Sequence, residues 1–535
     1  MSYDKYQRVE FNSAGAKLYA NLYYPSKTLS FQDKRPLIIY CHGIGSKRDF
    51  DLRVPIEFSK RGFYVASLDY QGHGESGGNI NNIDEATNVP ALAQDCSKLL
   101  DKLRTMPFYD DVNDSQVGLL GHSLGGMVVL MNQALDPDFK ATVAWAPLVN
   151  FTPPRFGLEW TGYEQYIPVN LLNQTNTENL LIIMHVNDEV LDFNENALKA
   201  KELTNCTVLN ITKPLIGGGH QLFSDKVLIE SINWFELHFF NSERINGPIR
   251  ITFIWNYVII FITFSILLII VFTLISYTSR FFRLDSKQDT MEMLKEGFLL
   301  SKTDKMKNVL KIIVYSGLFI FNWQLFASIF GLIGIFYASI VFIILFICIK
   351  TIIYLQKLRQ ERFKFDIKQL KDLIKRELEL KVIIYTTVCV WYFIGIYLIF
   401  SYYYPFAFMW PSNIYNVLLS IAIFPIYLSI ELLFRKILYP QLNFLKSEKT
   451  KARIIVISAI MIYLNLMILA RSFAYLPSVL FTFVALLIVT IINTIIYEHT
   501  KRFSAVLIAS FDIIQLFFSA VISNVIGVGA ISHLF

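Results

Sequence analysis

Long apolar runs in the second half of the chain place the strongest constraint on its fold. Residues 251–277, 382–401 and 479–496 each approach or exceed the roughly 18 residues that a helix needs to cross a hydrocarbon core about 30 Å thick. We therefore predict that residues 249–535 form an all-α polytopic membrane domain of about eight helices. The predicted spans are residues 252–277, 312–329, 331–350, 382–402, 413–434, 454–472, 477–497 and 503–530.

The composition supports this division of the chain. Hydrophobic residues make up 54% of the sequence and charged residues only 17%, which is not typical of a soluble protein. Residues 1–248 hold 21 Lys and Arg against 29 Asp and Glu, a net charge of −8, whereas residues 249–535 hold 28 against 14, a net charge of +14. The two halves therefore differ in chemistry, and we expect a second domain at residues 1–245.

The location of the first domain stays open, because two signals disagree. Most basic residues of the second half lie in four segments between the predicted spans, and Lys and Arg near span ends mark the cytoplasmic side. That pattern places the first domain on the outer, non-cytoplasmic side of the membrane. However, the first twenty residues carry charges throughout and have no apolar core of a signal peptide, which favours the cytoplasm.

The first 240 residues alternate between two kinds of segment. Apolar runs at 37–43, 63–70, 117–121, 141–147, 180–186 and 206–212 predict strands, and amphipathic segments at 51–62, 91–103 and 124–134 predict helices. This alternation predicts a mostly parallel sheet with helices on both faces, whose reactive groups collect at the carboxyl ends of the strands.

Three of the loops at those ends carry the groups that acyl transfer requires. Ser123 lies in GLLGHSLGG (118–126), a strand–turn–helix segment that favours an exposed hydroxyl. Asp188 and Glu189 follow a later strand in HVNDEV, and His220 follows the next strand in GGGH. A serine hydroxyl becomes a good nucleophile when an imidazole accepts its proton, and the imidazole needs a carboxylate to fix its tautomer.

The motif CHGIG (41–45), at the exit of the first predicted strand, supplies a glycine-rich turn. Its backbone N–H at Ile44 and the N–H of Leu124 are candidate donors to an oxyanion. The five cysteines show no Cys-x-x-Cys or Cys/His spacing. We therefore predict no metal site, no disulfide framework and no cofactor.

The ordered set HGIGSKRDF, SLDYQGHGESGG, GLLGHSLGG, HVNDEV and GGGH resembles the α/β-hydrolase superfamily, in particular its serine aminopeptidase, monoacylglycerol lipase and dienelactone hydrolase-like branches. The resemblance covers residues 36–240. It implies that Ser123 is the nucleophile, His220 the base and Asp188 the acid, with oxyanion donors at Ile44 and Leu124.

Some of these residues have a competing interpretation, and for Ser123 the alternative is a polar residue in a tight turn. Glu189 is the alternative acid, because it adjoins Asp188. We expect His122 to pack in the turn, His42 to shape the oxyanion loop and His73 to pack a structural loop, and none of the three to be catalytic. We expect Asp69 to hold the glycine-rich loop that follows its strand.

A small cap is predicted between the fourth strand and the acid, at about residues 148–178. Phe151, Phe156, Trp160 and Tyr163 are the expected lining of an apolar acyl pocket, together with Tyr166. The alternative is that these aromatic side chains only bury a short loop.

The membrane half has a fainter resemblance to the CAAX-protease and bacteriocin-processing family of intramembrane enzymes. SIELLFRKILYPQL (429–442) is similar to its E-E-x-x-x-R motif, but the first glutamate is Ile430, and the expected late histidine falls near Ser510. We therefore predict that this half has no peptidase activity, and that Glu431 and Arg435, four residues apart, pair with each other.

These patterns predict a membrane-anchored serine hydrolase that cleaves an ester, with a peptide or amide as the alternative substrate. Its expected partners are a small-molecule or lipid acyl substrate and the lipid bilayer, with no nucleic acid; the oligomeric state is not predicted. A different class of function makes the membrane half the working part, as a transporter or intramembrane peptidase, with the first half as a binding module.

Overall fold

A computed structural model describes residues 3–26, 34–49, 51–215, 218–240, 247–282, 284, 301–330, 332–360, 367–403, 414–445, 447–470 and 476–513. The chain divides into two compact units. The first, the sheet unit, extends to Phe261, and the second, the helical unit, begins at Ile262. The predicted domain limits, 1–245 and 249–535, stay predictions.

The sheet unit is built on an eight-stranded sheet. Its strands are β1 (Tyr3–Ser13), β2 (Ala16–Pro25), β3 (Arg35–Cys41), β4 (Tyr64–Asp69), β5 (Val112–His122), β6 (Ala141–Trp145), β7 (Leu180–His185) and β8 (Thr207–Ile211). Their order in the sheet is β1-β2-β4-β3-β5-β6-β7-β8. Strands β3 to β8 pair in parallel, which confirms the predicted mostly parallel sheet.

Strands β1 and β2 were not predicted from the sequence. They pair antiparallel with each other, and β2 pairs antiparallel with β4. In β1 the buried side chains of Val9 and Phe11 alternate with the exposed side chain of Glu10. Such alternation is typical of an edge strand that covers the core with one face only. Strand β1 therefore lacks the continuous apolar run that marks β3.

The main helices of the sheet unit are α1 (Arg53–Ser59), α2 (Asp95–Arg104), α3 (Leu124–Leu135), α4 (Lys199–Thr204) and α5 (Asp225–Phe239). The first three confirm predicted helices, although α2 begins four residues later than the predicted start at 91. Helix α5 packs on the sheet, where the Trp145 indole N–H donates to Ser231 Oγ at 2.9 Å. Helix α5 thus covers a face of the sheet, and the loops lie at the carboxyl ends of the parallel strands.

Long helices make up the helical unit. They are α6 (Phe253–Phe281), which begins in the sheet unit, α7 (Lys302–Phe330), α8 (Leu332–Gln360), α9 (Ile367–Glu377), α10 (Leu380–Tyr403), α11 (Ile414–Glu431), α12 (Glu448–Ala470), α13 (Leu476–Thr500) and α14 (Phe503–Ile513). The protein is therefore an α/β unit followed by an all-α unit, as predicted.

Five stretches within the described helices are long and apolar enough to cross a membrane. They are Phe253–Phe281, Lys302–Phe330, Ile333–Gln356, Ile374–Ile396 and Glu448–Ile468, and they correspond to five of the eight predicted spans. Helices α11, α13 and α14 occupy described parts of the other three, and residues 514–530 lie outside the described residues. The total of eight spans stays a prediction.

Candidate active site

Ser123 lies at the junction of β5 and α3, where the backbone is strained. Its φ is +55°, in the region that residues with a side chain rarely adopt. A Cβ on Gly121 would lie 2.2 Å from the Gly125 carbonyl oxygen, and a Cβ on Gly125 would lie 2.3 Å from the carbonyl oxygens of Cys41 and His42. Both glycines are therefore needed for the chain to turn tightly enough to hold the serine hydroxyl above the sheet.

Three side chains from separate loops form a continuous hydrogen-bonded chain. Ser123 Oγ lies 2.9 Å from His220 Nε2, and His220 Nδ1 lies 2.9 Å and 3.0 Å from the two carboxylate oxygens of Asp188. Ser123 and His220 are both only 5% exposed. The structure thus brings together the three residues on which the sequence interpretation rests, within the 2.6–3.2 Å that proton transfer requires.

Glu189, the alternative acid, has a different position. Its Oε2 accepts a hydrogen bond from the backbone N–H of His220 at 3.1 Å. A Cβ on Gly218 would lie 2.1 Å from Glu189 Oε1, so the glycine lets the loop approach the carboxylate. Glu189 therefore holds the backbone of the His220 loop, whereas Asp188 contacts the imidazole ring.

The surroundings of Asp188 favour the ionised form of its carboxyl group. Burial by itself would raise the pKa of this carboxyl group, but the hydrogen bond and charge of His220 lower it, with further hydrogen bonds from the N–H groups of Leu191 and Val190. The net effect is a pKa below the ordinary value. A carboxylate that stays charged stabilises the imidazolium that forms when His220 accepts a proton.

The CHGIG turn lies next to the nucleophile. A Cβ on Gly43 would lie 3.4 Å from Ser123 Cβ and 3.0 Å from His122 Nδ1. Leu124 is the first residue of α3, so its N–H belongs to the amides of the first turn that have no partner within the helix. The backbone at Gly43, next to Ile44, and the first amide of α3 are therefore near the Ser123 hydroxyl.

Asp69 holds this turn in place rather than joining the hydrogen-bonded chain of Ser123. Its Oδ1 accepts from the backbone N–H of Arg48 at 2.6 Å, and the Arg48 guanidinium pairs with both Asp69 and Glu75. All of the Asp69 carboxylate is buried, and Arg48, offsetting the cost of that burial, holds its pKa below the usual range. The cluster thereby links the oxyanion loop to the glycine-rich loop that contains Glu75.

His42 and His73 pack beside this cluster. His42 Nε2 lies 3.3 Å from Asp69 Oδ1, and its ring stacks on Tyr70 with 4.8 Å between centroids. His73 Nδ1 lies 3.2 Å from the Gln71 carbonyl oxygen, and burial followed by the nearby His42 lowers the pKa of His73 to about 3. Both histidines therefore shape loops, in agreement with the expectation from sequence.

His122 contacts the loop of the candidate base. Its Nε2 lies 2.8 Å from the His220 carbonyl oxygen, so the Nε2–H of the imidazole donates a hydrogen bond there. Burial, followed by the nearby His220, lowers the pKa of His122 to about 4. His122, the residue before Ser123, thus supports the His220 backbone. The sequence predicted only that His122 packs in the turn.

The low pKa of His122 predicts a pH dependence of stability. A histidine that is harder to protonate in the folded state stabilises the fold above its ordinary pKa of about 6.5, and this contribution is lost as the pH falls from there towards 4. We expect the loss between pH 7 and pH 5 to be roughly 2 kcal/mol. His122→Gln keeps an N–H donor and should lack this component. Denaturant titrations of the full chain in detergent at pH 7, 6 and 5 measure it, and identical pH dependence in both proteins would contradict the assignment.

Two further residues support the site and were missed by sequence reasoning. Arg53 donates from Nη1 to the Leu222 carbonyl oxygen at 3.2 Å and pairs with Asp51. His185 Nε2 lies 3.1 Å from the Lys213 carbonyl oxygen, and a Cβ on Gly219 would lie 2.9 Å from the His185 ring. The only sequence signal was the placement of a charged or imidazole group in an otherwise apolar segment.

The predicted cap is a short irregular segment. It contains single helical turns at Pro153–Phe156 and Glu164–Tyr166 and a short helix at Pro168–Leu171. Trp160 is 2% exposed, whereas Phe151 and Phe156 are half-buried and contact each other edge-on, with 5.6 Å between centroids.

The Tyr163 hydroxyl donates to Asn88 at 2.8 Å, and this contact joins the cap to the segment before α2. The burial of Trp160 agrees with the alternative that the aromatic side chains bury a short loop. An acyl pocket lined by Phe151, Phe156, Trp160 and Tyr163 remains a prediction.

A second buried polar cluster lies in the helical unit. Arg435 Nε donates to Glu431 Oε2 at 2.9 Å, which confirms the predicted pair. Asn493 donates to Glu431 at 2.8 Å and to Ser510 at 2.7 Å, and Arg435 also donates to Thr494 at 2.8 Å. Ser510 thus occupies a place in this cluster at the position where the resemblance expected a histidine. The CAAX-protease resemblance itself is not confirmed.

Among the described residues, no three His, Cys, Asp or Glu side chains are grouped in a way that would hold a metal ion.

Comparisons with known proteins match part of the chain. Residues 32–213 match the profile of a family described as "Serine aminopeptidase, S33". The platelet-activating factor acetylhydrolase of Cavia porcellus is 24% identical over 172 residues, which cover 24% of this chain and 39% of that protein. An uncharacterized 31.7 kDa protein of Escherichia coli is 31% identical over 112 residues, covering 21% of this chain and 37% of that protein. The chain thus spans about two fifths of the length of these relatives.

Solved structures also resemble this part of the chain. The α/β hydrolase GrgF from Penicillium sp. sh18 is 18% identical, with 44% of this chain and 98% of that chain covered and a TM-score of 0.34. Acetyl xylan esterase 1 from Thermoanaerobacterium sp. JW/SL YS485 is also 18% identical, with 44% and 86% covered and a TM-score of 0.35.

Proposed function

We propose, from the premise that the N-terminal part of this chain is an α/β hydrolase, that the protein is a membrane-anchored serine hydrolase acting through an acyl-enzyme on Ser123. The single observation that carries the proposal is the hydrogen-bonded chain from Ser123 Oγ through His220 to Asp188, with distances of 2.9 Å at Oγ and 2.9 Å at the carboxylate. A serine with an imidazole and a carboxylate in this arrangement is an activated nucleophile.

Each residue has one role in the proposed reaction. His220 Nε2 accepts the proton of Ser123 as Oγ attacks the acyl carbon, and Asp188 holds the proton on Nδ1 and stabilises the imidazolium. The N–H groups of Ile44 and Leu124 stabilise the oxyanion. His220 then gives its proton to the leaving group, and a water molecule, activated by His220 in the same way, releases the acid from Ser123.

We favour an ester over a peptide or amide as the substrate. The family profile is that of serine aminopeptidases, whereas the named relative is an acetylhydrolase. The aromatic residues of the cap support an apolar acyl substrate. The five helices that are long and apolar enough to cross a membrane support it too, because an enzyme tethered to a bilayer works at the surface where apolar molecules concentrate.

The direct test is covalent labelling of the full chain with a fluorophosphonate probe. We expect one site of labelling, at Ser123, and no labelling of Ser123→Ala. Ser115→Ala is the matched control, because Ser115 is an exposed serine of the same unit whose hydroxyl donates to the nearby Asn113 Oδ1 at 2.8 Å. A folded protein that does not react with the probe would instead support the binding-module alternative.

Acyl-chain preference provides a second prediction. We expect kcat/KM on p-nitrophenyl esters to rise from acetate towards medium chains, by at most about fourfold per methylene, because a buried methylene contributes about 0.8 kcal/mol. A strict preference for acetate, or faster cleavage of charged peptides than of any ester, would contradict an apolar acyl substrate.

A further inference from the structure

The loop that carries His220 rests on the first turn of the long apolar helix α6. The rings of Phe223 and Phe253 meet edge-on with 5.2 Å between centroids, and Phe253 is 1% exposed. The Tyr257 hydroxyl accepts a hydrogen bond from the Leu52 N–H at 3.2 Å. These contacts lie within the sheet unit, which includes α6 as far as Phe261.

The start of α6 is fixed to the sheet unit by polar contacts as well. The backbone N–H of Thr252 donates to Glu57 at 2.7 Å, and Lys60 Nζ donates to Thr252 Oγ1 at 2.9 Å. Glu57 is completely buried. The entry into α6 is therefore a fixed part of the hydrolase surface rather than a loose tether.

Helix α6 is 29 residues long and has the composition of a membrane span. The end of a spanning helix lies at the membrane surface, where Trp and Tyr are enriched, and Trp255 in its first turn is 69% exposed. Phe223 is three positions after His220, a distance of at most about 11 Å along the chain. A catalytic histidine held this near the start of a span lies close to the headgroup layer.

The loops of the active site also expose large apolar side chains. We call Ile44, Val190 and Phe223 the apolar rim; they are 54%, 46% and 38% exposed. The three belong to the loops that follow β3, β7 and β8, and the carboxyl ends of parallel strands meet at one edge of a sheet. The loops that carry Ile44, Asp188 and His220 thus each expose one large apolar side chain.

We infer that the active-site edge of the sheet faces the bilayer, and that the apolar rim docks on the membrane surface to receive an amphiphile whose ester lies at headgroup depth. The inference rests on the proposed function for its chemistry. The occupant of the rim is the bilayer, because the rim residue Phe223 is in direct contact with the helix that enters it. The substrate class is an acyl lipid or similar amphiphile taken from the membrane, not an ester dissolved in water.

A fluorescence experiment tests the docking without using activity. Cys348 is the exposed cysteine of the five, so Cys348→Ser gives a background for single labelling sites. Val190→Cys and Leu135→Cys are made in the full chain, labelled with the same fluorophore and placed in nanodiscs with ordinary or brominated phospholipid. Leu135 is a matched control, because it is 42% exposed but ends α3, about 18 Å along the helix from Ser123.

We expect brominated lipid to quench the label at residue 190 and not the label at residue 135. Equal quenching at both positions, or none at residue 190, would overturn the inference. Fluorophosphonate labelling of the same samples separates the two proposals: an unquenched label on protein whose Ser123 reacts leaves the hydrolase function intact and rejects only the docking.

A kinetic experiment tests the substrate class. For Val190→Ser, the ratio of kcat/KM on a long-chain ester in phospholipid vesicles to kcat/KM on p-nitrophenyl acetate should fall about tenfold, because one exposed apolar contact with the membrane is lost. Leu135→Ser should leave this ratio unchanged. A ratio that falls equally in both variants, or in neither, would contradict the apolar rim as the route of substrate entry.

Discussion

Ser123→Ala is expected to reduce kcat for ester hydrolysis by on the order of 10⁵-fold or more, because the acyl-enzyme then has no oxygen on which to form. His220→Ala should cost a similar factor, since the hydroxyl 2.9 Å from its ring loses the group that accepts its proton. The double variant should be scarcely slower than either single variant, because residues that act as one unit are not additive.

The measurement is steady-state hydrolysis of a p-nitrophenyl ester by the full chain in detergent, with circular dichroism to verify folding. Ser115→Ala serves as the control and should retain full activity. A Ser123→Ala protein that keeps one hundredth or more of the activity would show that the reaction does not pass through this serine.

Asp188→Asn is expected to lower kcat by about 10⁴-fold, because an amide in place of the carboxylate favours the wrong tautomer of the imidazole. In the native protein both Asp188 oxygens lie within 3.0 Å of His220 Nδ1. The loss should appear mainly in kcat, with little change in KM, since Asp188 stabilises a charge that develops only during the reaction.

Glu189→Gln is the matched control for the choice of acid. Glutamine keeps an oxygen that accepts from the His220 N–H, so we expect activity within about tenfold of the native protein. The reverse result, an active Asp188→Asn and an inactive Glu189→Gln, would make Glu189 the acid and would mean that the loop rearranges around the substrate.

Much of the sheet unit could be predicted because its signals are local. A strand buried on both faces needs a continuous apolar run, and β3 and β7 show one in the sequence. The turn at Ser123 needs small residues within two positions on either side, so Gly121 and Gly125 mark it without knowledge of the rest of the fold. The edge strand β1 lacks such a run, because only one of its faces is buried.

The candidate functional groups could be named from the sequence, but the sequence left two acids possible and did not show the backbone contacts that hold each side chain. Asp188 and Glu189 are neighbours with the same chemistry, and the direction of each side chain depends on the backbone of a loop that meets residues 218–220 only after folding. The supports supplied by His122 and Arg53 depend in the same way on carbonyl groups far along the chain.

The sequence by itself determined that the chain joins a mostly parallel α/β sheet to apolar helices, and it identified candidate residues for acyl transfer, because steric turns and apolar runs act over a few residues. Only the tertiary structure decided which carboxylate faces the imidazole and that Phe253 packs under the His220 loop. The physical reason is that hydrogen bonds and ring contacts are effective over a few ångströms, and folding alone brings residues 30 to 100 positions apart within that distance.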